Sequence, residues 1–208
     1  FPVATSYTGY NYGHTTIQAT GAGSRIDLSH LETFYGGGEY DGGTFGGGWH
    51  YYTTYVKALA AGEVDLAGAI SHRNNITVDG SGSVLDVAGV TSLVGTSVTV
   101  KSANSVTFDS ATSLTNVNLE ASEGAQILFP TLTSYTGYSS ADTTIQATGA
   151  GSRIDLSHVE TFYGGGEYDG GTFGGGWHYY TTYVKALAAG EVDLAGAISH
   201  RNNITVDG

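Results

Sequence analysis

The chain repeats itself. Residues 129–208 reproduce residues 1–80 at an offset of 128, with 73 of 80 positions identical, and self-similarity at a fixed period governs the fold before any single residue does. The differences fall at positions 3, 4, 11, 12, 13, 14 and 31. Four of them are contiguous: Asn11-Tyr12-Gly13-His14 stands against Ser139-Ser140-Ala141-Asp142, in a polar stretch where a loop tip tolerates change. The unit is therefore 128 residues long, with 1–128 one full tandem repeat and 129–208 a partial second one. The sequence opens and closes at arbitrary phases of the unit and lacks an initiator Met, so the expectation is a window of a longer array.

A shorter, degenerate period lies inside the long one. Strand-like openings recur at Thr15–Ala19, Thr54–Ala58, Ile76–Gly80, Val98–Ser102 and Val117–Ala121, and the cycle restarts at Thr143–Ala147. Their spacings are 39, 22, 22, 19 and 26 residues. Each opening leads through a Gly- or Ser-bearing turn to a second alternating segment: Arg25–Leu28, Glu63–Leu66, Val84–Val87, Val106–Phe108 and Ile127–Phe129. A third short segment follows, as in Val90–Leu93, Ala111–Leu114 and Thr131–Ser134. About twenty residues carrying three short β segments form one coil of a parallel β-solenoid, in which coils stack and alternate side chains fill a continuous core.

Aligning the openings on their aliphatic residues gives an inward row of Ile17, Val56, Val78, Val100, Leu119 and Ile145. The outward row then reads Gln18, Lys57, Asp79, Lys101, Glu120 and Gln146, so that successive charges alternate in sign at strand spacing. Phe108, Leu119, Val100 and Leu66 are expected in the core. These stacked motifs resemble those of bacterial right-handed parallel β-helix repeat proteins, among them surface adhesins and pectate-lyase-like folds, over nearly the whole chain. The resemblance implies an all-β, right-handed parallel β-solenoid of about five coils per 128-residue repeat, with a Gly/aromatic loop inserted in one coil.

Composition narrows the function classes. Only 12% of residues are charged, while 33 are Gly and 46 are Ser or Thr, which suits turns and neutral β surface rather than salt-bridged helix bundles. A formal charge of -12 makes nucleic acid and anionic lipid poor partners. The absence of Cys removes disulfides, thiolate zinc sites and cysteine nucleophiles. No window approaches eighteen uninterrupted apolar residues, so no membrane insertion by a spanning helix is expected.

Four groups of residues stand out. The longest coil carries an insertion, residues 35–52, copied without change at 163–180. Its aromatic residues are Tyr35, Tyr40, Phe45, Trp49, Tyr51 and Tyr52, with Tyr163, Tyr168, Phe173, Trp177, Tyr179 and Tyr180 in the copy. Amphipathic rings on glycine hinges suit contact with a glycan or with an identical neighbouring chain; the third possibility is a lid folded over its own coil. Asp27, Asp65 and Asp86 stack as a second outward row, where like charges repel and calcium is the cation the oxygen donors would take. Arg25 falls beside Glu63 and so has an ordinary cross-strand ion pair available. The pectate-lyase comparison implies a lytic variant of this row, with Arg25 or Arg73 as base. Asn75-Ile76-Thr77 and Asn203-Ile204-Thr205 fit the N-glycosylation sequon. No cofactor is otherwise called for.

These features lead to a non-catalytic structural role, in a fibre, stalk or adhesin shaft at the cell surface or outside the cell, with identical chains or repeats as partners. The rival is a polysaccharide-binding or polysaccharide-cleaving β-helix that uses one lateral groove, with carbohydrate as the partner.

Overall fold

A computed structural model of the chain describes residues 4–41, 49–138, 141–169 and 177–208. Among these residues every regular element is a β-strand. One sheet contains 15 strands and another four, and two short two-stranded ribbons complete the set. All pairings within the two large sheets are parallel, whereas the ribbons Glu39–Asp41 with Trp49–Tyr51, and Glu167–Asp169 with Trp177–Tyr179, are antiparallel. Strands distant in sequence are thus neighbours in space. The fold is all-β with extended parallel sheets, an arrangement compatible with a parallel β-solenoid.

Alternation decides which side chains enter the interior. In strand Thr54–Leu59 the residues Thr54, Val56 and Ala58 are buried while Tyr55, Lys57 and Leu59 are half-buried, the period-two pattern of a sheet with one face in a core. Directly paired inward residues make continuous columns. One runs Ile17, Val56, Ile76, Val98, Leu119, Ile145, Val184, Ile204. Another runs Tyr7, Phe34, Ile70, Leu93, Leu114, Tyr135, Phe162, Ile198. Tyr7 stacks on Phe34 at 4.5 Å between ring centroids, and the corresponding pair in the second repeat, Tyr135 and Phe162, stacks at 4.5 Å. Phe108, Leu119, Val100 and Leu66 are all buried, as the sequence leads one to expect, and Phe108 lies face to face with Phe129 at 4.7 Å.

The register differs from the sequence-based one in the middle coils. Val56 pairs with Ile76 rather than Val78, and Leu119 pairs with Val98 rather than Val100. The outward row is therefore Gln18, Lys57, Thr77, Thr99, Glu120, Gln146, and the alternation Lys57-Asp79-Lys101-Glu120 does not exist. Asp79 instead faces Leu59. A two-residue slip keeps every side chain on its own face, so the hydrophobic pattern cannot detect it. The turn decides. His72 and Arg73 both take left-handed backbone angles, with φ of 57° and 43°, and Asn74 Nδ2 donates to the Ser71 carbonyl at 2.8 Å. That turn starts the next strand at Asn74, two residues before Ile76.

Candidate functional site

The two insertions leave the body of the protein through narrow necks. Gly36, Gly37 and Gly38 are buried, and a Cβ on each would collide with the His72 carbonyl, the Tyr52 carbonyl and Asn11 respectively. The first glycine triplet is therefore a close-packed neck rather than the flexible hinge suggested by composition. Beyond it, Glu39–Asp41 pairs with Trp49–Tyr51, and Tyr52 N–H donates to the Gly38 carbonyl at 2.9 Å. Phe45 and Phe173 lie outside the described residues. Tyr40, Trp49, Tyr168 and Trp177 belong to the two ribbons by their backbone pairing.

Aromatic side chains tie this region to the coil next to it. The Arg73 guanidinium lies 3.9 Å from the Tyr51 ring centroid, and Arg201 lies 3.8 Å from Tyr179. Tyr35 meets His72 at 4.2 Å, and Tyr163 meets His200 at 4.0 Å. The rings nevertheless keep solvent-facing surface, Tyr51 being 50% and Tyr179 52% exposed. At the exit of each neck the repeats differ in sequence and agree in geometry. Thr53 N–H donates to His14 Nδ1 at 3.0 Å, and Thr181 N–H donates to Asp142 Oδ1 at 2.8 Å. Tyr52 and Tyr55 each lie 5.7 Å from the His14 ring.

Between the first insertion and the start of the second repeat lies a groove of about 450 Å³. One wall is Tyr35, Gly37, Gly38, Thr53 and Tyr55, and the opposite wall is Tyr138, Ala141 and Asp142. Its floor runs across coils, from His72, Arg73 and Asn75 through Ser97 to Asn118. Asn75, Ser97 and Asn118 are consecutive partners in one outward row, which places their polar groups at the inter-strand spacing of about 4.8 Å. Asn118 Oδ1 accepts from Thr144 N–H at 2.8 Å, and Thr77 donates to Asn75 Oδ1 at 3.3 Å. A shallower extension shares this floor and continues over Thr99, Glu120, Thr144 and Gln146. Asn75 of the first sequon is thus a floor residue, and Asn203 takes the same place in the partial repeat, in strand Asn202–Asp207.

The acidic row forms in the expected register, Asp27 beside Asp65 and Asp65 beside Asp86. Arg25 occupies the space between them. It donates from Nε to Asp65 Oδ2 at 3.0 Å and lies 3.0 Å from Glu63 Oε1. Asp65 is buried, and its Oδ1 has no hydrogen-bond partner. The hydrogen bond that Arg25 donates to Asp65, then the charges of Asp65 and Glu63, raise the Arg25 pKa. Asp27 is held below the usual carboxylate range by hydrogen bonds from Ser29, whose hydroxyl lies at 2.6 Å. Among the described residues, no three carboxylate or imidazole groups converge as a metal site would require. The same pattern recurs with Arg153, Asp155 and Asp193.

The sequence did not single out Tyr55, Ser97, Asn118, Tyr138 and Asp142 as site residues. Two signals were present. Asn75, Ser97 and Asn118 each immediately precede a member of the aliphatic column, and Asp142 closes the longest stretch in which the repeats diverge. Neither a protein-family model, nor a curated protein, nor a solved structure matches the chain.

Proposed function

We propose that the chain is a section of a right-handed parallel β-solenoid with five coils per 128-residue unit, and that it serves as the shaft of an extracellular or cell-surface fibre, stalk or adhesin. The observation that carries this reading is the column from Tyr7 to Ile198, which crosses from the first repeat into the second with the same direct pairing it has inside the unit. Leu114, Tyr135 and Phe162 follow one another as Tyr7, Phe34 and Ile70 do. A unit that ends on a surface matching its own beginning extends by repetition, and nearest-neighbour stacking supplies stability at each junction. The role is mechanical and catalysis forms no part of it.

The groove supports a second reading, a polysaccharide-binding β-helix. Cleavage is the weaker form of that reading. Hydrolysis of a glycosidic bond calls for two carboxyl groups flanking it; of the carboxylates named above, Asp142 already accepts from Thr181 N–H, and Glu120 lies out in the extension.

The shaft reading is tested by anchoring arrays of increasing repeat number on a cell surface, with an epitope at the distal end. The label should stand further from the membrane by about 24 Å per unit, five coils at about 4.8 Å each. A stand-off independent of repeat number overturns the reading.

A further inference from the structure

We infer that the groove between the neck of the first insertion and the residues Tyr138, Ala141 and Asp142 is a binding site for a neutral oligosaccharide lying across the strands. The inference goes beyond the shaft reading, because the groove is complete in this chain whatever the array does. Three features select the ligand class. First, the floor is a ladder of uncharged hydrogen-bonding groups, Asn75, Ser97 and Asn118, spaced by the strands at about 4.8 Å, close to the length of one pyranose unit. Among the described residues Asn75 and Ser97 act as acceptors, from Thr77 and from Asn118 Nδ2, and Asn75 Nδ2 and the Ser97 hydroxyl have protons to offer to sugar oxygens. Second, tyrosines stand on both walls, Tyr35 and Tyr55 facing Tyr138. Amphipathic rings of this kind present an apolar face to the C–H side of a sugar while the hydroxyl stays hydrated.

Third, the charge disfavours an anionic ligand. Arg73 is held over the Tyr51 ring, and Asp142 belongs to the lining. An anionic polymer would approach a molecule of net charge -12 and meet Asp142, a penalty that a neutral chain avoids. The placement of the sequence differences agrees with a ligand-facing wall. Of 80 comparable positions the longest run of changes is 11–14 against 139–142, and Ala141 and Asp142 line the groove. The change from His14 to Asp142 preserves the hydrogen bond to the neck while replacing a ring that meets Tyr52 and Tyr55 with a carboxylate.

The test uses the full chain produced in a host without N-glycosylation, so that Asn75 is bare. Cellohexaose, mannohexaose and chitohexaose are titrated calorimetrically, with polygalacturonate as the charged comparison. At least one neutral hexasaccharide should bind. Ser97→Trp, which fills the floor, and Tyr35→Ala, which removes a wall from an exposed position, should each weaken that binding about tenfold or more, with the β-sheet circular dichroism retained. If Ser97→Trp does not fold, Tyr35→Ala decides alone. Failure of every neutral hexasaccharide to bind, equal binding by the variants, or preference for polygalacturonate overturns the inference. A chain that binds no sugar yet lengthens unit by unit overturns this assignment and leaves the shaft reading standing.

Discussion

Phe108 shows how much a single residue contributes to the stack. Its ring is fully buried, parallel to Phe129 within 8°, and neighbouring coils on both sides leave little room for collapse. Phe108→Ala should cost about 3–5 kcal/mol, measured as the loss of unfolding free energy in denaturant. The Arg25 and Asp65 pair behaves differently, because Arg25 has a largely exposed side chain while that of Asp65 is 4% exposed. Removing the cation leaves a buried carboxylate without compensation. Arg25→Ala should therefore lower the melting temperature, and adding Asp65→Asn in the same chain should recover part of the loss. A double variant no more stable than Arg25→Ala would mean that Asp65 is not held by this pair. The calcium reading of the row makes a distinct demand of the single variant, since Arg25→Ala would then raise calcium affinity rather than leave it unchanged.

At the scale of elements, the register is the most exposed part of the argument. Lys57 and Thr77 are direct partners, whereas Asp79 is two residues further along the strand. Aligned parallel neighbours about 4.8 Å apart fall within the Cα separation a disulfide accepts, and a two-residue offset moves the pair beyond about 7 Å. Lys57→Cys with Thr77→Cys should cross-link under mild oxidation, while Lys57→Cys with Asp79→Cys should not. The reverse result would restore the charge-alternating register.

That example also shows what the sequence makes legible and what it hides. The faces of strands were readable, since Val56, Val100 and Phe108 alternate with polar neighbours and are buried as expected. So was the order of acidic residues, because Asp27 and Asp65 occur in Arg-Ile-Asp-Leu and Glu-Val-Asp-Leu segments that share the same alternation of polar and aliphatic residues. The middle register was not, because an Asn74 and a Thr96 occupy the place of Thr54, and only the left-handed turn at His72 and Arg73 fixes it. The groove was hidden for a related reason. Its walls come from Tyr35 and Tyr138, far apart in the chain, and its floor from coils whose register had to be settled first. The glycine triplet at the neck was misjudged because composition reports freedom, whereas close approach to the His72 and Tyr52 carbonyls reports constraint.

At the scale of the whole molecule, what matters is whether the join between repeats is the same as any step within one. The pairs Leu119–Ile145 and Leu114–Tyr135 cross the join with the same direct parallel pairing found inside the unit, as the proposed shaft requires. Small-angle X-ray scattering tests this directly by comparing the present chain with one lengthened by a complete 128-residue unit. The cross-sectional radius should stay constant while the longest dimension grows by about 24 Å, five coils at about 4.8 Å each. A broadened cross-section, or two separate bodies joined by a flexible link, would contradict a continuous stack.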